Sequence, residues 1–483
     1  MVEPAFEAKP RDEEVPLVVD LDGTLIRSDF MIESFFALLA KRPLAAFASV
    51  ASLARGVGAF KAALAAAAPV DAATLPVNRE LVDWLKAEKA RGRALYLASA
   101  SDRKFVDAMA AELALFDGVF ASDEHRNLAG ENKAAALVEA FGRGGFDYVG
   151  NSSADVPVWM AAREAIVAGA TERFARGLRG RVHVTREIGV RATRFQDYLR
   201  ALRVHQWVKN FLIFIPALAA HEFDAGAGAL LALAFLSFSL CASSAYALND
   251  LLDLPHDRLH PTKRSRPFAS GAVPLGHAVM LVPALLAVGL ALAATIGIRF
   301  FGCVLIYYAT TLLYSFWLKR KMSIDVLTLA CLYGLRVIAG AVAVGLPLSA
   351  WLVGFLLFLF LSLAIIKRCT ELITSIERGA GDPAGRGYQV RDLPVLESMA
   401  AASGYLAVLV FALYIASPQV VALYRAPDRL WLICVILLYW ISRMLVMTRR
   451  GLMHDDPIVF AAKDKMSLAS GALAVAILLS ASI

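Results

Sequence analysis

The chain has 483 residues, 58% of them hydrophobic and 19% charged, with a formal net charge of +7. Soluble domains carry about 45–50% apolar and about 25% charged residues. Disorder, a coiled coil and an ordinary cytosolic enzyme are therefore excluded, and much of the chain is expected to lie in a bilayer. The positive excess points to cytoplasmic loops and phosphate-bearing ligands. No nucleic-acid partner is expected, since there is no long basic tail and no basic–aromatic groove.

The five cysteines, Cys241, Cys303, Cys331, Cys369 and Cys434, form no CxxC pair and no cluster of zinc spacing. They read as small hydrophobes packed among helices. The opening MVEPAFEAKPRDEEVP is acidic and lacks the apolar core of a secretory signal. Residues 1–14 read as a tail.

Residues 15–190 read as a soluble α/β domain. VPLVVDL (15–21), RALYLAS (93–99), GVFAS (118–122), FDYVG (146–150) and REAIVAG (163–169) fit strands buried on both faces of a parallel sheet. NRELVDWLKAEKARG (78–92) and ENKAAALVEAFGRG (131–144) read as intervening helices, giving the βαβ rhythm of a doubly wound fold. The Ala-rich insert over about 30–77 reads as a small helical cap. Arg55 and Lys61 break its apolar runs too often for a membrane span.

VVDLDGTL puts Asp20 and Asp22 at the carboxyl end of the first strand, where parallel α/β sheets bind ligands. One carboxylate of such a pair can attack phosphorus while its neighbour protonates the leaving oxygen. Ser99 ends the second strand, Lys133 opens a helix, and GNSSAD presents Asn151 and Asp155 after another strand. A hydroxyl and an ammonium can hold a phosphoryl group, and the acidic loop can hold Mg²⁺. This ordered set resembles the haloacid dehalogenase superfamily of phosphatases. The resemblance implies a Rossmann-like fold, with Asp20 as nucleophile and Asp22 as general acid/base. It implies Ser99 and Lys133 as phosphate ligands, and Mg²⁺ near Asp20, Asp22, Asn151 and Asp155. The family usually has Asp where this chain has Asn151. The amide still offers an oxygen but no charge, so weaker metal binding is expected.

Residues 191–483 read as an all-α membrane domain. Nine apolar stretches, near 208–221, 226–248, 277–297, 298–317, 325–345, 350–373, 399–417, 429–447 and 467–483, approach the roughly 20 residues of a spanning helix. The segments after the second, fourth, sixth and eighth carry nearly all the Lys and Arg. That alternation predicts nine transmembrane helices with the N-terminal domain in the cytoplasm and the C-terminus outside. Trp207, Trp317, Trp351, Trp431 and Trp440 fall near predicted ends, as an aromatic belt would.

After the second stretch comes NDLLDLPHDRLHPTKRSRPFASG (249–271). Asn249, Asp253 and Asp257 recur at helical spacing and can share one face, with Asp250 beside them, before Pro255 bends or ends the helix. Carboxylates at a membrane boundary are costly unless they bind a cation. His260, Lys263, Arg264 and Arg266 follow at once, as phosphate-binding cations would. NDxxDxxxD at this place in a nine-helix protein resembles the UbiA superfamily of intramembrane prenyltransferases. RVHQWVKN (203–210), HPTKRSRP, YSFWLKRKMSIDV (314–326), YGLRVIAG (333–340), KRCTEL (367–372) and DDPIVFAAKDKMS (455–467) are similar to its decaprenyl-phosphate phosphoribosyltransferase branch. Members using a prenyl diphosphate carry a second aspartate-rich motif. Here that region offers Asp325 and an intramembrane Arg336.

The resemblance implies transfer of phosphoribose from phosphoribosyl pyrophosphate to a polyprenyl phosphate. Asp250, Asp253 and Asp257 would hold Mg²⁺ on the pyrophosphate, Lys263, Arg266 and Lys321 would bind the donor's phosphates, and Asn249 and His260 would be further substrate-binding residues. Lys209, Arg336, Lys367 and Arg368 are candidates for either substrate's phosphates. The phosphatase-like domain would remove the product's 5′-phosphate. The alternatives are an aromatic prenyltransferase using a prenyl diphosphate, and a non-catalytic N-terminal module. The expected setting is the inner (cytoplasmic) membrane, with both sites facing the cytoplasm and self-association left open.

Overall fold

The computed structural model describes residues 15–67, 71–123, 126–189, 194–222, 224–379, 381–382, 386–453 and 456–482. The tail 1–14 lies outside them. The chain divides into two compact units, Met1–Leu202 with Ala247–Leu281, and Arg203–Tyr246 with Val282–Ile483.

In the first unit, six parallel strands form one sheet: β1 (Leu17–Asp20), β2 (Leu95–Asp102), β3 (Gly118–Ser122), β4 (Asp147–Gly150), β5 (Ala165–Ala168) and β6 (Val184–Ile188). Their order is β3-β2-β1-β4-β5-β6. Every residue of β1, β4 and β5 is buried, which is why these strands read as continuous apolar runs rather than alternating ones. Leu17 and Val19 pack on one side with Leu81, Leu85, Val106 and Met109. Val18 packs on the other with Leu137, Phe146, Tyr148 and Trp159. Each such side chain contributes about 1.5–3 kcal/mol through its removal from water.

β1 pairs with β2 through Asp20↔Ala98 and with β4 through Val19↔Val149. The chain reverses direction across the sheet between β1 and β4, so their carboxyl ends open the crevice in which doubly wound folds bind ligands. The cap is helical: Phe30–Lys41, Pro43–Val50 and Val57–Ala67, with a 3₁₀ turn at Ala51–Arg55. Asp29 starts the first of these helices by accepting from Ile32 N at 3.0 Å.

Among the described residues, eight helices are long and apolar enough to cross a membrane: Ala225–Leu252, Leu275–Ile296, Ile298–Phe316, Ile324–Ala343, Ala350–Glu377, Val390–Ile415, Pro427–Arg449 and Lys465–Ser482. They match eight of the nine anticipated stretches. The first stretch differs. It winds as a 3₁₀ helix over Val204–Phe214, followed by a six-residue α-helix at Ile215–Ala220 with Pro at its start. Two polar side chains in the run, Lys209 and Asn210, are drawn inward and buried. A 3₁₀ run of 11 residues is long for that conformation. Within the second unit, small residues let helices touch. A Cβ on Gly340 would lie 2.0 Å from the Ile213 carbonyl oxygen, and one on Gly289 2.5 Å from Cys241 Sγ.

Candidate active sites

The first site lies at the carboxyl ends of β1 and β4. Asp20 is buried, and both its oxygens are occupied. Oδ1 accepts from Lys133 Nζ at 2.6 Å and Oδ2 from Thr24 Oγ1 at 3.0 Å. Lys133 enters from the helix Glu131–Phe141 and also donates to Tyr148 Oη at 3.0 Å. Tyr148 in turn donates to Asp155 Oδ1 at 2.8 Å. The other Asp155 oxygen accepts from Asn151 N, Ser152 N and Ser152 Oγ at 3.1, 3.0 and 3.2 Å. Asp22 faces the second strand, with Oδ2 accepting from Ser101 Oγ at 2.7 Å and Ser99 Oγ at 3.3 Å. Its Oδ1 accepts from Phe30 N at 2.8 Å, which ties it to the cap.

Burial pushes the Asp20 carboxyl up to about 7, against the opposing pull of Lys133. Burial alone would lower Lys133, but Asp20 and Asp155 outweigh it and raise the ammonium above its ordinary value. The site thus holds a permanent cation beside a carboxyl that titrates near neutrality. Asn151 packs on the turn after β1, where a Cβ on Gly23 would come within 2.1 Å of its Nδ2. Lys133 Nζ lies 2.6 Å from Asp20 Oδ1 and 3.6 Å from Asp155 Oδ1, so the two carboxylates already face one cation, and with the Asn151 amide they would offer Mg²⁺ oxygen donors of less charge than three carboxylates. Thr24, Ser101 and Tyr148 escaped the sequence reading. Ser101 could have been found from the alternation in LASAS, which returns to the Ser99 face after two residues.

The acidic strip behaves differently from its expectation. Backbone bonds continue from Asn249 to Asp253 and from Asp253 to Asp257, at 3.0 and 2.9 Å, so helical register survives Pro255. Proline is tolerated because it sits in the first turn of a new short helix, Leu254–Leu259. The side chains that converge are Asp250 and Asp257. Both accept from Arg266 Nη1, at 3.0 and 2.5 Å. Asp253 is turned to Asn249 Nδ2 at 3.1 Å. Burial raises the Asp257 carboxyl while Arg266 opposes it. A guanidinium nitrogen between two carboxylates marks a point where they can share a cation, which fits Mg²⁺ held by two carboxylates with other ligands from substrate phosphates. His260 is used locally: its Nδ1 lies 3.3 Å from both Thr262 N and Lys263 N. Lys263 is exposed, as is Lys321 of the second unit.

In the second unit the anticipated cations separate into two groups. Arg368 is compensated: it pairs with Asp325 at 2.8 Å and with Glu371, and donates to Tyr314 Oη at 2.9 Å. Lys209 and Lys367 share one carboxylate oxygen, Asp456 Oδ2, at 2.8 and 2.9 Å. Tyr333 donates to the same oxygen at 3.0 Å. Burial alone would raise Asp456, but the two ammonium groups hold it well below the usual carboxylate range. Arg336 is buried among neutral partners: Asn210 Oδ1 at 2.8 Å, Tyr307 Oη at 3.0 Å and the Leu332 carbonyl. Among the described residues, Asp456 is the one carboxylate in direct contact with Lys209 and Lys367, with Glu371 attracting Lys367 from farther away, and Arg336 pairs with no carboxylate. Such an arrangement suits an anionic ligand. Asp456 lies in the quoted DDPIVF motif, but nothing in a juxtamembrane DD distinguishes a lysine-bridging carboxylate from a helix cap. It also caps, with Ile458 N at 3.3 Å from its Oδ1.

Comparison with known proteins gives the following. Residues 210–470 match the model of the UbiA prenyltransferase family. An uncharacterized protein of Sinorhizobium fredii is 35% identical over 96% of this chain and 90% of its own length. A nodulation protein, NoeC, of Azorhizobium caulinodans is 36% identical over 57% of this chain and 89% of its own. The decaprenyl-phosphate phosphoribosyltransferase of Mycolicibacterium smegmatis is 37% identical over 38% of this chain and 59% of its own. Among solved structures, a HAD family hydrolase of Salmonella enterica is 17% identical, covering 38% of this chain and 71% of that chain, with a TM-score of 0.27.

Proposed function

The chain belongs to the UbiA prenyltransferase family, and on that premise we propose that it transfers phosphoribose from phosphoribosyl pyrophosphate to a polyprenyl (decaprenyl) phosphate, releasing pyrophosphate. The observation that carries this reading is that, among the described residues, buried Lys209 and Arg336 and half-buried Lys367 have between them one ion-pair partner, Asp456. Their complement is phosphate. The similarity to a decaprenyl-phosphate phosphoribosyltransferase supports the same substrate pair. Asp325 is paired with Arg368 and accepts from Tyr388 Oη at 3.1 Å, so it does not build a second acidic motif of the kind that prenyl-diphosphate users carry.

Asp250 and Asp257, with Asp253 nearby, would hold Mg²⁺, which neutralises pyrophosphate charge when bound. Arg266, released from the two carboxylates, would turn to a donor phosphate. Lys209, Lys367 and Arg336 would bind substrate phosphates. The C1–oxygen bond to pyrophosphate breaks as positive charge develops on the ribose, and a lipid phosphate oxygen forms the new bond. Positioning and charge neutralisation supply the catalysis.

The N-terminal domain, in this reading, then removes the 5′-phosphate. Asp20 attacks phosphorus, Lys133 and Ser99 hold the phosphoryl oxygens, and Asp22 protonates the leaving sugar oxygen and then deprotonates the water that releases phosphate from Asp20. Asp20, Asp155 and Asn151 would hold its Mg²⁺. The protein would sit in the cytoplasmic membrane with both sites on the cytoplasmic face. The 3₁₀ run and the short helix after it, 11 and 6 residues, extend roughly 30 Å together. In this reading the two elements together make the first crossing, which gives the proposed orientation.

The test is incubation of the full chain in nanodiscs with labelled phosphoribosyl pyrophosphate, decaprenyl phosphate and Mg²⁺, followed by the mass of the lipid product. Wild type should give polyprenyl-phosphoryl ribose, and Asp20→Asn the same lipid with a 5′-phosphate. Label absent from lipid sinks the transferase reading and favours the aromatic prenyltransferase. Identical phosphorylated products from both proteins leave the N-terminal domain as a non-catalytic module.

A further inference from the structure

The segment Ala247–Leu281, which carries the acidic strip, belongs to the same compact unit as the α/β domain. A buried ion pair joins them. Arg258, the neighbour of Asp257 in Leu254–Leu259, pairs with Glu33 of the cap helix Phe30–Lys41, and the two side chains are 6% and 2% exposed. Each is held from behind: Arg258 Nε donates to the Ala269 carbonyl at 3.1 Å, and Ser28 Oγ donates to Glu33. Beside them Gly271, at φ +70°, lies so close to Arg27 that a Cβ would come within 2.5 Å of the Arg27 carbonyl oxygen. The helix bearing Glu33 begins at Phe30, whose N–H is held by Asp22. Asp22 and Asp257 are thus linked through one hydrogen bond, one helical turn, one ion pair and one peptide bond.

A buried ion pair is poor glue, because desolvation offsets most of its attraction and packed apolar residues hold two surfaces as well. What it adds is a fixed register, and a planar guanidinium fork is especially directional. The register fixed here is that of the residue next to Arg258. Asp257 must meet Asp250 around one cation, and ligand sets of this kind tolerate only about 0.5 Å of error.

We infer that Glu33 and Arg258 are positioning residues: through this pair the N-terminal domain holds Asp257 in register with Asp250, and the acidic strip is complete only with that domain docked. The inference rests on the strip's reading as a cation site, and it does not depend on which substrate is used. Mn²⁺ titration by electron paramagnetic resonance on the full chain in nanodiscs tests it, with Asp250→Asn identifying the signal that belongs to the strip. Glu33→Gln should weaken that component about tenfold, the lower end of what second-layer partners of metal ligands contribute. The double variant Glu33→Gln/Arg258→Gln leaves no unpaired buried charge, so it should keep wild-type elution volume and helicity and still bind weakly. Mn²⁺ affinity within twofold of wild type in the double variant overturns the inference, because the pair would then be merely structural. So does the absence of an Asp250-dependent component in wild type. Phosphoribose transfer is measured separately. A wild type that binds Mn²⁺ but transfers no label refutes the proposed substrate and leaves the positioning result standing.

Discussion

Lys209 and Asp456 meet at 2.8 Å, each with a side chain only 6% exposed, and Lys367 reaches the same carboxylate oxygen. In the proposed reading, a carboxylate between two ammonium groups would serve as the resident counter-charge of a cluster that takes an incoming anion. Asp456→Asn should therefore destabilise the ligand-free protein by about 3–5 kcal/mol, the cost of leaving buried charge unpaired. Pyrophosphate should restore more stability to this variant than to wild type. Thermal unfolding in detergent, with and without pyrophosphate, checks it. Equal ligand-induced shifts in the two proteins would remove Asp456 from this role.

Arg336 and Arg368 are both deeply buried, yet their surroundings predict opposite failures. Arg336 has neutral partners, so Arg336→Lys should keep the fold and lower transferase kcat/KM about 100-fold, as loss of a planar donor at a phosphate does. Arg368 answers Asp325 and Glu371, so Arg368→Met should chiefly lower thermal stability and yield. Steady-state kinetics beside a melting curve separates the two. Similar kinetic losses at unchanged stability in both variants would contradict the assignment.

The raised Asp20 carboxyl predicts the pH dependence of the proposed phosphatase step. A nucleophilic carboxylate must be ionised, and its ionised fraction rises with pH. With Asp20 pushed up to about 7, kcat/KM should climb through the mildly acidic range and level off above neutrality. Excess Mg²⁺ should shift that limb to lower pH, since a bound cation favours the ionised form. A profile flat from pH 5 to 8 at low Mg²⁺ would exclude Asp20 as the titrating group.

Within the acidic strip, geometry ranks the carboxylates. Asp250 and Asp257 share Arg266, whereas Asp253 is turned to Asn249. Asp250→Asn and Asp257→Asn should each weaken Mn²⁺ binding at least about tenfold, and Asp253→Asn by less. Calorimetric or resonance titration of the three variants checks the order. An Asp253→Asn defect equal to the other two would reject it.

Local chemistry carried much of this protein into plain view along the chain. Strands buried on both faces read as unbroken runs such as VPLVVDL, spanning helices as apolar stretches, and Asp20, Ser99 and Lys133 as motif residues in order. These features depend on near neighbours and on what a bilayer or a sheet demands of every residue in turn. The outcome was different where winding or partnering depends on distant groups. The first apolar stretch has a span's composition, but inward-turned Lys209 and Asn210 accompany a 3₁₀ winding that hydropathy does not register.

The strip Asn249–Asp253–Asp257 has one-face spacing along the chain, but Arg266 gathers Asp250 and Asp257 instead. Four basic residues looked equivalent as phosphate ligands until Asp325 and Glu371 neutralised Arg368 and left Arg336 with neutral partners. Residue order and composition specified the two architectures and the candidate chemistry. Only tertiary structure decided which charges are compensated, because electrostatic pairing acts through space, between groups such as Glu33 and Arg258 that the chain keeps far apart.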